Sequence, residues 1–304
     1  MRKILDLPFT NVFLFSLFWA LQLFFSKLAF QAGAHPVTFF LQSQLINWFI
    51  LAIIVLPQKW KEIKNLNQII LKQIIIASTI HLGLGAVLAN IGVAFTTAIN
   101  AGFLVKFTLV TTLLIAWIIL REKMTLPKIS AAILMFIGVF LLSTKAQLII
   151  PNFGDLLILA ACFAWSTGNV LVRKILKNHA VSGEAITFLR PIFGSPLVIL
   201  FVVLAPFYPE KLKNVFQVNL LSLDYFVYVF IVGVFTALLM LFLHRTLKIA
   251  SASYMSMMSM MTPVFTTLLA FIFLHERMIT IQVFGAALII GSSVVTHLMK
   301  VEKS

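Results

Sequence analysis

The sequence predicts an all-α integral membrane protein of ten transmembrane helices, arranged as two inverted five-helix repeats. Three observations predict it. The 304 residues are 61% hydrophobic and 11% charged, with a mean hydropathy of +1.07, whereas soluble domains average roughly half apolar and a quarter charged. Ten stretches stay apolar for the roughly 20 residues that a helix needs to cross a bilayer. One of those stretches also occurs twice. Residues 98–124, AINAGFLVKFTLVTTLLIAWIILREKM, align without a gap on residues 252–278, ASYMSMMSMMTPVFTTLLAFIFLHERM. Ala98, Thr108, Val110, Thr112, Leu114, Ala116, Ile118, Leu120, Glu122 and Met124 recur as Ala252, Thr262, Val264, Thr266, Leu268, Ala270, Ile272, Leu274, Glu276 and Met278. A long apolar helix repeated at a fixed interval indicates a membrane protein built from two similar halves.

In order, the spans are 9–30, 37–56, 73–93, 97–119, 127–144, 155–174, 185–205, 224–244, 250–273 and 279–299. Span 1 imitates a signal peptide, with Arg2 and Lys3 before it and Ala32-Gly33-Ala34 after it. Its apolar run from Pro8 to Phe30 exceeds the roughly 7–15 residues of an ordinary signal core, so it is read as an uncleaved span. Connections are short except 57–72 and 206–223, and no soluble domain is expected at either end. The halves are 9–144 (spans 1–5) and 155–299 (spans 6–10).

Charge placement tests this layout, because cytoplasmic loops collect Lys and Arg. With the N-terminus inside, the inner segments hold Arg2, Lys3, Lys59, Lys61, Lys64, Lys72, Arg121, Lys123, Lys128, Arg173, Lys174, Lys177, Arg245, Lys248, Lys300 and Lys303. The outer side holds Lys27, Lys145, Lys211, Lys213 and Arg277, while Lys106 and Arg190 lie within spans. Both termini are therefore expected in the cytoplasm. Five spans per half then make the second half enter from the opposite side, so Glu122 is cytoplasmic and Glu276 external. Inverted repeats of this kind characterise secondary transporters, which expose a midplane site to each side in turn. Ser16, Trp19 and Lys27 also match Cys162, Trp165 and Arg173 at an offset of 146, against 154 for the later block. The difference, 154 − 146 = 8 residues, belongs between the two blocks, most naturally in 206–223.

The formal net charge of +14 does not imply nucleic acid, because the cations sit in short loops between apolar runs rather than on one soluble face. Cys162 lies in an apolar run, and a single cysteine forms no intrachain disulfide. A membrane-embedded enzyme would need paired carboxylates, a metal cluster or an activated nucleophile. The nine acids, Asp6, Glu62, Glu122, Asp155, Glu184, Glu210, Asp224, Glu276 and Glu302, all fall at span ends or in loops. No His/Cys spacing suits a metal, and no cofactor is expected. A sensor would need a signalling domain that the sequence does not show.

Together these features resemble the drug/metabolite transporter superfamily, specifically its ten-span EamA-type members with two EamA repeats. The resemblance is carried by Trp19 through Lys27, Gly154-Asp155 through Trp165, Arg190, Pro263 with Leu268-Leu269-Ala270, and the ends at Glu122 and Glu276. Spans 5 and 10 look like the family's closing helix, with Gly138 and Gly285–Gly291 permitting tight contact. Two departures stand out: Leu109 occupies the place of Pro263 in span 4, implying a less broken helix, and span 2 offers Gln42 and Gln44 instead of an arginine. The resemblance implies small-molecule transport through a central cavity, with the lipid bilayer as solvent, a bacterial inner membrane as location and a homodimer as one possible assembly.

Lys106 is the most informative residue. Near the middle of span 4 it cannot easily snorkel, and a lysine there costs roughly 2.5–3.5 kcal/mol on insertion scales. It is read as an anchor for a carboxylate or phosphate, against a structural ion pair or a lysine held neutral by desolvation, because the acids lie only at span ends or in loops. Gly102 and Phe103 share its face, the glycine leaving room for a ligand. Arg190, followed by Pro191, is either a substrate contact or a snorkelling structural cation. His81, above Gly83 and Gly85, either titrates and binds substrate or bonds a neighbouring helix, with the second favoured. Ser16, Trp19, Gln22 and Ser26 form a polar stripe on span 1, and Cys162, Trp165, Ser166, Asn169 and Arg173 form one on span 6. The recurring tryptophans suggest aromatic cavity walls rather than packing alone. In span 9, rich in Met, Ser256 and Met260 are the best lining candidates. Glu122 and Glu276 are expected to pair with adjacent cations.

The substrate is thus read as an anionic metabolite held by Lys106. The alternative is export of neutral or zwitterionic amino acids or amphipathic drugs, which suits the aromatic and Met walls. Reporter fusions after Lys64, Lys123, Lys177, Lys248 and Lys303 should report cytoplasm, and fusions near Lys145 and Lys211 the outside. Reporters at Lys123 and Arg277 on the same side would contradict inverted repeats.

Overall fold

The computed structural model describes residues 7–147, 150–216 and 225–298. Ten helices are long and apolar enough to cross a membrane. In order they are α1 (Pro8–Gln31), α2 (Pro36–Lys64), α3 (Gln68–Ala94), α4 (Asn100–Leu120) and α5 (Leu126–Thr144). The second five are α6 (Phe153–Asn178), α7 (Gly183–Val203), α8 (Phe226–Ile249), α9 (Ala252–Phe273) and α10 (Thr280–Leu298). All ten predicted spans are present. Arg2, Lys3, Asp6, Asp224, Met299, Lys300, Glu302, Lys303 and positions 217–223 of the second long connection lie outside the described residues.

The largest difference falls between spans 2 and 3. The long connection expected over 57–72 shrinks to a turn, because α2 runs on through Pro57 to Lys64 and α3 starts at Gln68. Lys59, Lys61, Glu62 and Lys64 end the apolar run without ending the helix, since Lys and Glu are good helix formers. Asn67 then caps α3, its side chain accepting from the Ile69 amide at 2.8 Å, as asparagine does at an N-cap.

Consecutive helices alternate in direction, so α1 begins and α10 ends on one face, called here the terminal face, and the opposite one is the far face. Packing follows the two-fold relation that the repeat implies. α1 packs on α8 and α9 just as α6 packs on α3 and α4, while α4 meets α9 and α5 meets α10 as counterparts. The α5–α10 contact shows the symmetry at atomic scale. A Cβ on Gly138 would lie 2.7 Å from the Gly285 carbonyl oxygen, and one on Gly285 would lie 2.7 Å from the Gly138 oxygen. Gly291, grouped with Gly285 by sequence, has nothing within 4 Å of a Cβ and makes no such contact.

Both α4 and α9 are interrupted mid-membrane by a 3₁₀ turn, Val105–Phe107 and Ser259–Met261, which are equivalent positions at the repeat offset of 154. The expectation that α4 is less broken for lack of proline is therefore corrected. In α9, Pro263 has no N–H for the Ser259 carbonyl four residues back. In α4 the Thr108 hydroxyl donates to the Val105 carbonyl at 2.9 Å, taking the oxygen that the Leu109 amide would use in a continuous helix.

Gly138→Leu should lower stability by about 1–3 kcal/mol through overpacking against α10, read as a melting temperature of the purified protein. Gly291→Ala should leave it unchanged or raise it slightly. Equal effects would contradict the α5–α10 contact.

Candidate functional site

Between the halves lies a cavity of about 420 Å³, within the range of small-molecule sites. The polar stripes of α1 and α6 face it, contributing Trp19, Gln22, Trp165, Ser166 and Asn169. His81, Thr108, Met240, Met255 and Ser256 add wall from α3, α4, α8 and α9. Glycines let this wall form. A Cβ on Gly85 would lie 2.4 Å from the Trp165 ring, and one on Gly168 would lie 2.5 Å from the His81 Cβ. A π-helical turn over Thr79–Leu84 carries His81, whose Nδ1 donates to the Trp165 carbonyl at 2.9 Å. The histidine thus both bonds a neighbouring helix, as its favoured reading held, and stands in the cavity wall.

Lys106 sits in the 3₁₀ turn of α4 and is 6% exposed. Its Nζ lies 4.4 Å from the centroid of the Trp19 ring, and the flanking Val105 and Thr108 line the cavity. The sequence match Trp19/Trp165 is thus a pair of aromatic walls, one of them seating the lysine. Among the described residues, no carboxylate pairs with Lys106.

Five of the predicted site residues are not in the cavity wall: Lys106 and Arg190 stand behind it, and Met260, Phe103 and Gly102 lie elsewhere. Met260 is fully buried beside Leu109 and Met257. The 3₁₀ turn, at three residues per turn, puts Ser259 rather than Met260 on the face of Ser256, and both serines line the cavity. Phe103 packs into an aromatic cluster with Phe136 and Phe140 of α5, at 5.2 and 5.4 Å between centroids. Gly102 is exposed, with open space where a side chain would be.

Arg190 does not snorkel. It is 2% exposed and stands behind Asn169, donating from Nη1 to the Asn169 Oδ1 at 3.2 Å and to the His244 Nε2 at 2.7 Å. The Thr187 hydroxyl donates to the Gly183 carbonyl at 2.8 Å, so it accepts from the His244 Nδ1–H, also at 2.8 Å. This fixes His244 in one neutral tautomer, with Nε2 as the acceptor for Arg190. His244 and Thr187 were missed by the sequence reading, because His244 lies at the end of its predicted span beside Arg245 and looks like part of a basic loop.

The two glutamates do not pair with sequence neighbours alone. Glu122, 5% exposed, reaches across the halves to the start of α9. It accepts from the amides of Ala252 at 2.8 Å and Ser253 at 3.1 Å, and from the Ser253 hydroxyl. That is a favourable place for an anion, where orphan N–H groups and the helix dipole converge. Lys128 approaches Glu122 to 3.9 Å. Glu276 binds Lys27 of α1 at 2.6 Å on the far face, where both side chains are about half exposed.

Ten membrane-crossing helices in two related halves, around a shared cavity, define a multi-pass membrane transporter. The sequence matches the model of the EamA-like transporter family over residues 9–144 and 152–298, and the chain belongs to that family, within the drug/metabolite transporter superfamily. Its members are transporters, not enzymes. A solved structure titled "Crystal structure of protein" superposes with a TM-score of 0.74 over 96% of each chain at 14% identity; the likeness is one of fold. No curated protein matches the sequence.

His244→Leu should destabilise the protein by about 1–3 kcal/mol, since it leaves a buried N–H of Arg190 without its acceptor. Adding Arg190→Met should recover much of that loss, because replacing both partners with apolar groups is nearly neutral. Additive losses in melting temperature would contradict the pairing.

Proposed function

We propose that this transporter moves a small organic anion by alternating access, with Lys106 supplying the charge that binds it. One observation carries the reading: a buried lysine in the middle of a membrane helix has an indole face beside it and, among the described residues, no carboxylate partner. Isolated intramembrane charge is expensive and marks substrate pathways. A lysine over Trp gains a cation–π contact of up to about 2 kcal/mol when desolvated, which offsets part of that cost. An anionic group arriving through the cavity offsets the rest. The mainly apolar remainder of the wall, including Met240 and Met255, suits a substrate with a carbon body.

Two symmetry-related joints fit alternating access. On the far face, α1 meets α9 through Lys27 and Glu276. On the terminal face, their repeat counterparts on α6 and α4 are Arg173 and Glu122, which attract each other while buried. The terminal face carries Lys59, Lys61, Lys64, Lys72, Arg121, Lys123, Lys128, Lys174, Lys177, Arg245 and Lys248 beside Arg173, against Lys27, Lys145, Lys211, Lys213 and Arg277 on the far face. That bias supports a cytoplasmic terminal face, in a bacterial inner membrane.

Lys106→Met should keep or raise the melting temperature, since an apolar side chain suits the site better than an unpaired ammonium. Affinity for an acidic ligand found by thermal shift should fall by about 1.5–3 kcal/mol, and arginine should rescue only partly. A less stable Lys106→Met protein that binds normally would make the lysine structural. Trp19→Ala and Trp165→Ala should each give inserted protein with impaired transport; normal transport at equal abundance would reduce the stripes to packing.

A further inference from the structure

We propose that the substrate is a dianion held at both ends, one acid group on the Lys106 ammonium and the other on the Asn169 amide backed by Arg190. The proposal rests on the reading of this cavity as an anion site and adds a second charge and a spacing to it.

The second anchor follows from hydrogen-bond accounting. The Asn169 Oδ1 accepts from Arg190, so its amide nitrogen is the group left to face the cavity that Asn169 lines. That nitrogen only donates, and a bond to a cation behind it polarises the amide further. The arginine's hydrogen-bond partners, Asn169 and His244, carry no negative charge. Its histidine partner is a neutral acceptor, and its Nε and Nη2 are buried with no hydrogen-bond partner. No carboxylate forms an ion pair with it among the described residues. A buried guanidinium with two idle nitrogens, one side chain behind a cavity wall, is arranged for a negative charge on the other side of that wall. The Thr187–His244 chain keeps it pointed there.

The spacing comes from α6. Cys162 packs against the α4 backbone just before Lys106, its thiol donating to the Leu104 carbonyl at 3.3 Å and lying 3.7 Å from the Val105 carbonyl. Arg190 lies behind Asn169. Cys162 and Asn169 are two turns apart on one face of the same helix, about 10 Å along its axis. Allowing about 3 Å for each donor–acceptor contact leaves about 4–5 Å between the acid groups. An extended four-carbon dicarboxylate has that spacing. Its carbon chain would lie against Trp19 and Trp165, which stand between the two anchors.

The test compares succinate, a dianion, with succinamate, which has the same skeleton and one charge, by calorimetry on the purified full-length protein at pH 7.5. Succinate should bind about ten- to a hundred-fold more tightly, the size of a charge-assisted hydrogen bond. Arg190→Gln should bring the ratio close to one while leaving succinamate affinity nearly unchanged. A merely structural arginine would lower stability and both affinities together and leave the ratio intact. Should that variant fail to fold, Asn169→Asp supplies Arg190 with a carboxylate and should collapse the ratio in the same way. Equal affinities in the wild type, or no saturable binding of either acid, overturns the proposal. A monoacid that binds through Lys106 but is indifferent to Arg190 overturns it while leaving the anion reading intact. Succinate binding that survives Lys106→Met sinks that reading as well.

Discussion

Everything distinctive about this molecule depends on positive charge placed in the membrane without negative charge to meet it. Lys106 and Arg190 are almost fully buried, yet neither forms an ion pair within the described protein. The acids are kept at the helix ends, where they cap or clamp: Glu122 at the start of α9, Asp155 in the capping box of α6, Glu276 on Lys27. Both cations thus lie inside the helix bundle and these acids at its faces. The local supports reduce the cost of the arrangement without cancelling the charge: an indole face for the lysine, and a neutral histidine and an amide for the arginine.

In the proposed alternating access, the inverted repeat is the feature that opens such a site from two sides. The 3₁₀ turns of α4 and α9 fall at equivalent positions, and next to them the Ser256 hydroxyl reaches the Thr108 carbonyl at 3.4 Å. Backbone that departs from the α-helix at membrane depth is tolerated where it borders a cavity or packed protein. Here it does both. The symmetry is broken at the two buried cations. Lys106 in one turn answers to Met260 in the other, and Arg190 on α7 answers to Gln44 on α2. The second half has a packed apolar turn where the first half carries a charge.

Much of this was legible in the sequence, because hydrophobic length and repeat offset are one-dimensional signals. The ten spans, the doubled block at 98–124 and 252–278, and the facing stripes of Trp19 and Trp165 all follow from spacing alone. What escaped was decided by contacts between residues far apart in the chain. Glu122 caps a helix 130 residues away, while its neighbours Arg121 and Lys123 invited a local pairing. His244 becomes interpretable only when Thr187 and Arg190 of another helix stand beside it. The break in α4 was missed because the sequence shows no proline there, and a threonine hydroxyl does the work of one. Met260 was misplaced by assuming 3.6 residues per turn through the equivalent 3₁₀ turn of α9.

The claim at the centre of this account is that a transported anion balances Lys106. The most direct measurement is mass spectrometry of the small molecules that copurify with the protein, released by denaturation, from wild type and from Lys106→Met prepared in parallel. The account predicts an acidic metabolite enriched in the wild-type extract and missing from the variant. A neutral or zwitterionic molecule retained equally by both would contradict it.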